Sequence, residues 1–422
     1  MNVVVIGSGG REHALLWKIH NSKKLKKLFA IPGNAGTRII AENVNLSVND
    51  FSAIAKFVEQ NNIRFLVVGP EQPLVDGIFD YFIGKDVFVI GPSKAAAQLE
   101  GSKAFAKAFM KKYGIPTASY KSFNFSQIKD AYKFLEILEP PCVLKVSGLA
   151  AGKGVLILDD LQKAKSELKS IFEGRFGQAG ETVIIEQFLK GIELSVFIVF
   201  DGKNYKILPT SKDYKKINEG DTGPNTGGMG AISPIPIADN IFMQKVEKKI
   251  ICPTIEGIIN EGLFYRGFLY FGLMVVDGEP FVLEYNVRLG DPETQVVLPR
   301  IKNDILDLFE AMVYQEIDKL EIEEDKRVAA TVVLASQGYP GKYEKGKLIT
   351  GLENVNNVIV FHSGTSLSAD GIITNGGRVL SITALNNSLE QALEQIYTEI
   401  EKINFNGKYF RKDIGYEFLK KK

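Results

Sequence analysis

The apolar run Val3-Val4-Val5-Ile6 passes directly into Gly7-Ser8-Gly9-Gly10-Arg11-Glu12-His13 and then into a helical run, Ala14–Ile19. A buried strand, a glycine-rich turn and a helix, in that order, open a Rossmann-like parallel sheet. The glycines let backbone N–H groups at the helix start approach an anion. A dinucleotide fingerprint would need a third glycine at position 12, where Glu12 stands. It would also need an acid at the end of the next strand, Phe29-Ala30-Ile31, which has none. The unit therefore reads as a half-domain for a small phosphorylated molecule or for no ligand at all. Pro32-Gly33-Asn34-Ala35-Gly36-Thr37 follows the second strand, a third strand from Phe65 ends in a loop carboxylate, Glu71, and Val87–Gly91 is a fourth. Loops at the carboxyl ends of such strands are where open α/β sheets bind ligands.

At 422 residues the chain is too long for one core, and two to four domains are expected. The pattern turns helical at Leu99-Glu100-Gly101-Ser102-Lys103 and resets to short strands after Lys326. We expect an N-terminal domain over 1–101, a central domain over 102–326 and a small α+β domain over 327–422. A net charge of +1 gives no global reason for nucleic acid or an anionic membrane as partner. Cys142 and Cys252, far apart and in no metal-ligand spacing, fit a reducing compartment. The N-terminus has no basic leader and no apolar run is long enough to span a bilayer, so a cytoplasmic location is expected.

In the middle of the chain, Cys142–Val146 and Val155–Leu158 read as strands joined by Ser147-Gly148-Leu149-Ala150-Ala151-Gly152-Lys153-Gly154. This is not a P-loop, which needs one more residue between the glycines, a hydroxyl after the lysine and a following helix. A glycine loop in a hairpin can instead fold over nucleotide phosphates, with Lys145 in the strand pointing a charge at them. A lysine inside a buried strand calls for an anionic partner. Val183–Leu189 is a further strand, and Glu193 opens the next, Leu194–Phe200. Asp213–Gly230 reads as a long polar loop with five glycines, a length that in a compact domain is usually functional or disordered, and the regular strands on either side favour function. Gly267–Val276 and Phe281–Val287 form a hairpin through Asp277-Gly278.

The second strand of that hairpin carries the densest chemistry. Strict alternation puts Leu283, Tyr285 and Val287 on one face and Glu284, Asn286 and Arg288 on the other. Two residues along a strand span roughly 7 Å, so a carboxylate and an amide oxygen can share one small ion or two neighbouring ones. Oxygen ligands suit Mg²⁺, which fills its shell with phosphate and water. Arg288 can hold an anionic group by a bidentate contact. Gly290-Asp291-Pro292-Glu293-Thr294 then adds two more carboxylates in a turn. Beyond Arg327 we expect strands Ala329–Ala335, Val358–Phe361, Gly371–Ile373 and Arg378–Thr383, and a helix over Leu389–Ile403.

Taken together, Val5–Ala14, Pro32–Thr37, Val68–Glu71, Gly148–Val155, Asp221–Gly230, Arg288–Gln295 and Arg411–Gly415 resemble the glycinamide ribonucleotide synthetase (phosphoribosylamine–glycine ligase) family of the ATP-grasp superfamily, nearly end to end. The resemblance implies a multidomain α/β and α+β fold. A Rossmann-like domain precedes an ATP-grasp domain with a small mobile lid over about 120–192, and a C-terminal α+β domain follows. It implies a carbon–nitrogen ligase of purine biosynthesis whose partners are ATP, glycine and 5-phosphoribosylamine, with Mg²⁺ or Mn²⁺, acting as a monomer without nucleic acid or membrane.

Residue by residue, the resemblance implies that Lys103 and Lys145 contact phosphates while Gly148, Gly152, Lys153 and Gly154 close over them. Glu186 and the Leu189 backbone would read adenine and Glu193 the ribose. Glu284 and Asn286 would hold the metal. Arg288, Asp291 and Asp213 would hold glycine and the ribosylamine, and Gly9, Gly10 and Asn34 would line the phosphoribosyl end. Ser147 stands where an acid is common in the family and Tyr214 where histidine is; Gly272-Leu273-Met274-Val275 offers no second metal carboxylate. A ligase for another phosphoribosyl nucleotide, a nucleotide-binding oxidoreductase and an inactive ATP-binding module are the competing readings.

Overall fold

The computed structural model describes residues 1–150 and 152–419; Ala151 of the glycine loop and Lys420–Lys422 lie outside the described residues. Five parallel strands come first: β1 (Asn2–Gly7), β2 (Lys27–Pro32), β3 (Glu42–Asn43), β4 (Ile63–Val68) and β5 (Phe88–Ile90), in the order β3-β2-β1-β4-β5. Val3–Ile6 are fully buried, as continuous apolar runs are when helices cover both faces of a sheet. The strand order reverses between β1 and β4, so the loops Gly7–Gly10 and Gly69–Glu71 flank the switch point. Helices α1 (Gly10–His20), α2 (Phe51–Gln60), α3 (Glu71–Asp76) and α4 (Ile78–Tyr81) belong to this part. Glu12 occupies the third helical position of α1 and accepts the Gly9 N–H at 2.6 Å, satisfying an otherwise orphan donor.

Two short helices, α5 (Gln98–Gly101) and α6 (Lys103–Lys112), lead onward, with the Ser102 hydroxyl capping α6 at Phe105 N–H. Then β6 (Tyr120–Asn124), α7 (Ile128–Leu138), β7 (Cys142–Val146), β8 (Val155–Leu158), α8 (Leu161–Ser170) and β9 (Thr182–Gln187) form an antiparallel sheet in the order β6-β9-β7-β8, with its two helices packed on it. This unit has its own core, including Leu135, Leu144, Leu168 and Val183.

The chain continues through β10 (Ile192–Phe200), β11 (Tyr205–Ile207), β12 (Lys212–Asp213), β13 (Lys216–Asn218), β14 (Thr222–Asn225), β15 (Gly230–Ser233), α9 (Asn240–Val246), α10 (Cys252–Asn260), β16 (Gly267–Val276) and β17 (Glu279–Asn286). An antiparallel sheet runs β11-β10-β16-β17. Asp277 and Gly278 both take positive φ (50° and 76°), which lets a two-residue turn match the twist of β16 and β17. The expected long loop over Asp213–Gly230 is instead a β13-β14 hairpin between two short strands. Its glycines and polar residues serve tight turns rather than an irregular segment.

After α11 (Thr294–Arg300) and α12 (Ile305–Tyr314) come β18 (Val328–Ser336), β19 (Ile359–His362), β20 (Thr365–Ser368), β21 (Gly371–Thr374), β22 (Arg378–Asn386), α13 (Leu389–Ile400) and β23 (Lys408–Tyr409). The last helix ends three residues before the expected Ile403. The C-terminal sheet runs β12-β15-β18-β22-β19, so it borrows β12 and β15 from residues 212–233. Two continuous apolar clusters join the N-terminal, central and C-terminal sheets, one through Val4, Phe271 and Ile382, the other through Val3, Phe197 and Phe361. Among the described residues no helix is long and apolar enough to cross a membrane.

Candidate active site

A cavity of about 770 Å³ opens where the β6–β9 unit faces β17 and the carboxyl ends of the N-terminal strands. Its wall draws on every part of the chain: Arg11 and Glu71 from the switch point, Lys145 and Glu186 from β7 and β9, Asp213 from β12, and Glu284 and Asn286 from β17. That size suits a nucleotide with a small second substrate.

Strand β17 carries a bulge. Gly272 pairs with Glu284 but Leu273 pairs with Val282, so Leu283 is the extra residue. The buried face is therefore Val282, Tyr285 and Val287, and Leu283 joins Glu284 and Asn286 on the cavity wall, which corrects the strict alternation expected. The bulge also turns the Leu283 carbonyl to accept from Lys145 Nζ at 3.1 Å. A Cβ on Gly272 would fall 3.1 Å from Glu284 Cγ, so a side chain on the partner strand would crowd Glu284. Burial opposes charge on Glu284, but Lys215, Lys145, Lys103 and Arg288 outweigh it and hold the carboxyl below its ordinary range.

The turn after β17 is held by ion pairs. Arg288 Nη2 lies 2.9 Å from Glu100 Oε1 and its Nε 3.5 Å from Glu71. Burial pushes the Glu100 carboxyl up to about 7 against the pull of Arg288. Asp291 accepts from Gln295 Nε2 at 2.8 Å and pairs with Arg378 Nη2 at 3.1 Å. Next to it, Lys215 bridges Glu193 (2.5 Å) and Asp213 (3.5 Å). Burial disfavours the Lys215 ammonium, yet Asp213, Glu193, Tyr270 and Glu284 keep its pKa well above the usual value. Burial raises both Asp213 and Glu293, and their mutual repulsion adds to the effect in Glu293. A surplus of buried oxygen acids around one lysine is what a divalent cation would relieve. Among the described residues no three acids, imidazoles or thiols converge closely enough to hold a metal alone. An ion at Glu284 and Asn286 would need phosphate oxygens to complete its shell, which fits Mg²⁺.

On the opposite wall, Glu186 is buried between Lys145 (2.9 Å) and Lys107 (3.0 Å), so the anionic partner demanded for Lys145 is a protein carboxylate. Burial lowers Lys107 to about 8, whereas the two lysines overcome burial and keep Glu186 below its ordinary range. Lys103, Gly152, Gly154, Leu189 and Glu193 also line the cavity, while Gly148 and the exposed Lys153 do not. Leu189 lies just past the end of β9, where the pairing ladder has stopped. Gly152 takes φ +75°, and a Cβ on Gly148 would fall 2.8 Å from Ala179 Cα, so each glycine has its own reason. The Ser147 hydroxyl accepts from Ala104 N–H (3.2 Å) at the start of α6, a task an acid could also perform. Tyr214 is buried with its hydroxyl donating to Glu417 at 2.9 Å, away from the cavity wall.

Gly9, Gly10 and Asn34 do not line the cavity. The Gly9 amide is taken by Glu12, and a Cβ on Gly10 would fall 2.5 Å from Gln295 Nε2. Asn34 donates to the carbonyls of Ser8 and His362 and accepts from the N–H groups of Gly36 and Thr37, so it braces its own loop against the C-terminal domain. His13 accepts the His362 N–H at 2.8 Å and is held neutral, its pKa lowered to about 3 by burial and by His362. Sequence reasoning gave no role to Arg11, Glu100, Lys107, Lys215 or Arg378. Arg11 and Lys215 sit inside motifs already singled out, whereas Glu100 and Arg378 are lone charges in ordinary patterns and left no signal.

Three family models match the chain: Phosphoribosylglycinamide synthetase, N domain, over residues 1–100; the ATP-grasp (A) domain over 101–294; and the C domain over 329–417. A phosphoribosylamine–glycine ligase of Caldanaerobacter subterraneus is 46% identical over 416 residues, covering 98% of this chain and 99% of the relative. That of Chlorobaculum tepidum is 47% identical over 427 residues, covering 99% and 100%. Among solved structures, phosphoribosylamine–glycine ligase from Thermotoga maritima superposes with a TM-score of 0.87 at 37% identity, covering 98% of this chain and all of that one. A biotin carboxylase domain from Hydrogenobacter thermophilus, at 15% identity and a TM-score of 0.74 over 97% of this chain and 91% of its own, shares the fold. With family models spanning nearly its whole length and relatives alike from end to end, the chain belongs to the phosphoribosylglycinamide synthetase family.

Proposed function

We propose that the chain joins glycine to 5-phosphoribosylamine with ATP, giving glycinamide ribonucleotide, ADP and phosphate. The observation that most supports this is the cavity of about 770 Å³, with lysines and a glycine loop on one wall and Glu284, Asn286 and Asp213 on the other. A glycine carboxylate oxygen attacks the γ-phosphorus and the bond to the ADP oxygen breaks, leaving glycyl phosphate. The ribosylamine nitrogen then attacks the glycyl carbonyl carbon, loses a proton, and phosphate departs. Phosphoryl transfer asks the protein mainly for positioning and charge neutralisation.

In this reading Lys103 and Lys145 contact the phosphates, with Gly148, Gly152, Lys153 and Gly154 above them. Glu186 and the Leu189 backbone face adenine, and Glu193 takes the ribose. Arg288, Asp291 and Asp213 hold glycine and the amine. Gly9, Gly10 and Asn34 act on the phosphoribosyl end through the loops they shape. Glu284 and Asn286 would hold Mg²⁺ or Mn²⁺, which would supply charge neutralisation to the phosphates. The residues divide into working domains at 1–101, 102–326 with its lid over about 120–192, and 327–422. The chain works as a cytoplasmic monomer on small molecules, with no nucleic acid or membrane partner.

The test is ADP release with Mg²⁺-ATP and glycine, with and without phosphoribosylamine formed in situ from ammonia and ribose 5-phosphate. ADP that depends on both substrates, with glycinamide ribonucleotide seen by mass spectrometry, is the expected result. ADP formation indifferent to the ribosylamine would overturn the reading.

A further inference from the structure

Glu100, on the one-turn helix α5, is 7% exposed and reaches across to the end of β17. Its Oε2 accepts the Val287 N–H at 2.8 Å. Its Oε1 takes Arg288 Nη2 at 2.9 Å. One end of the Asn286 amide faces the same Oε1 at 3.0 Å and the Tyr285 carbonyl at 3.2 Å. With Glu100 ionised beside Arg288 both are acceptors, so hydrogen bonding places the –NH₂ group there. The amide oxygen is then turned away from Glu100, on a side chain that lines the cavity.

The two ends of a primary amide have nearly the same shape, and only their partners decide which way it sits. A divalent cation accepts the oxygen end alone. Glu100 cannot easily be a ligand itself, because both its oxygens are occupied by Val287, Arg288 and Asn286. We propose that Glu100 is a positioning residue: by holding the Asn286 –NH₂ group it presents the Asn286 oxygen to the cation shared with Glu284. This rests on the reading of Glu284 and Asn286 as the metal pair.

The experiment measures Mn²⁺ affinity in the presence of ADP by electron paramagnetic resonance, together with metal-free ADP affinity and the melting temperature. It compares the wild-type chain with Glu284→Gln, Glu100→Gln, Asn286→Asp and the double variant Glu100→Gln/Asn286→Asp. Glu100→Gln should weaken Mn²⁺ about 10- to 100-fold, the usual effect of losing an outer-shell partner, with ADP affinity unchanged. The replacement's own –NH₂ group can donate to the amide oxygen and let Asn286 turn. In the double variant both atoms at the end of residue 286 are oxygens, so orientation no longer matters and most of the Mn²⁺ affinity should return.

Asn286→Asp alone measures the gain from the added charge, and a gain larger in the Glu100→Gln background than in the wild-type one is what positioning adds. Wild-type Mn²⁺ affinity in Glu100→Gln, or a gain no larger in that background than in the wild-type one, overturns the proposal while a loss in Glu284→Gln keeps the metal site. Mn²⁺ affinity untouched by Glu284→Gln overturns the metal assignment and the proposal with it. Should Glu100→Gln show no cooperative melting, the wild-type chain decides. Manganese anomalous scattering in a crystal grown with ADP should lie within bonding distance of the Asn286 amide, on the side away from Glu100. A peak elsewhere overturns the proposal.

Discussion

On the β17 side of the cavity, charged groups meet protein partners brought from distant parts of the chain. Arg288 lies on Glu100 and Glu71, Asp291 on Arg378, and Lys215 on Asp213 and Glu193. The opposite side belongs to a unit with a separate core, and it meets the body through polar seams. Those seams are Lys107–Glu186, Lys145 on the Leu283 carbonyl, and Ser147 with the first turn of α6. The β17 side is a platform organised before any substrate arrives. Polar seams exchange readily with water or ligand, whereas a shared apolar core does not. In the proposed reading, a wall that must be exact and a cover that must open would be built by different kinds of contact.

The largest effect should come from the platform. Glu284→Gln should cut turnover by roughly 100-fold or more, since losing metal charge stabilisation costs several kcal/mol, while the melting temperature stays near wild type. Normal turnover would take Glu284 out of the metal site. Next, Glu186→Leu leaves two buried ammonium groups without a carboxylate and should destabilise the β6–β9 unit by about 3–5 kcal/mol. Chemical denaturation followed by hydrogen exchange should show that unit opening first; uniform loosening would blur the division.

Acid should act on the body instead. His13 and His362 are buried with pKa values lowered to about 3 and about 4, mainly by burial. The unfolded chain binds protons at these sites below about pH 6.5 and the folded chain does not. Their stabilisation is therefore present above that pH and is lost as pH falls toward the folded values. At pH 5 the loss should be on the order of 2 kcal/mol for each histidine. Melting curves of wild type and His362→Gln between pH 7 and 5 check this, and a wild-type curve flat across that range would refute it. The smallest effect should be Ser147→Ala, about 1 kcal/mol from a lost hydrogen bond to the first turn of α6, with a modest rise in KM for ATP. An unchanged KM would remove Ser147 from the seam.

Much of this contrast could be read in the residues, and what could not has physical causes. Short-range signals were reliable: the glycines after β1, the Asp277-Gly278 turn and the apolar runs of the C-terminal strands each act within a few residues. The polar strand was identified, but its bulge at Leu283 was not, because pairing with β16 decides which residue is extra. The segment Asp213–Gly230 looked like a loop because polar edge hairpins lack an apolar face. Its strands β12 and β15 pair with or toward β18, a hundred residues later, and no local pattern announces that. Glu100 and Arg378 became part of the site only through long-range packing, and Asn34 turned out to brace a loop rather than face the cavity.

Hydrogen–deuterium exchange with and without ADP and Mg²⁺ tests the division between platform and cover most directly. The account predicts that Val287–Gln295 is already protected in the free chain and changes little. New protection should appear at Ser147–Gly154 and in the link Phe188–Gly191. Protection gained mainly by β17 and Val287–Gln295, with the glycine loop unchanged, would contradict a platform formed in advance.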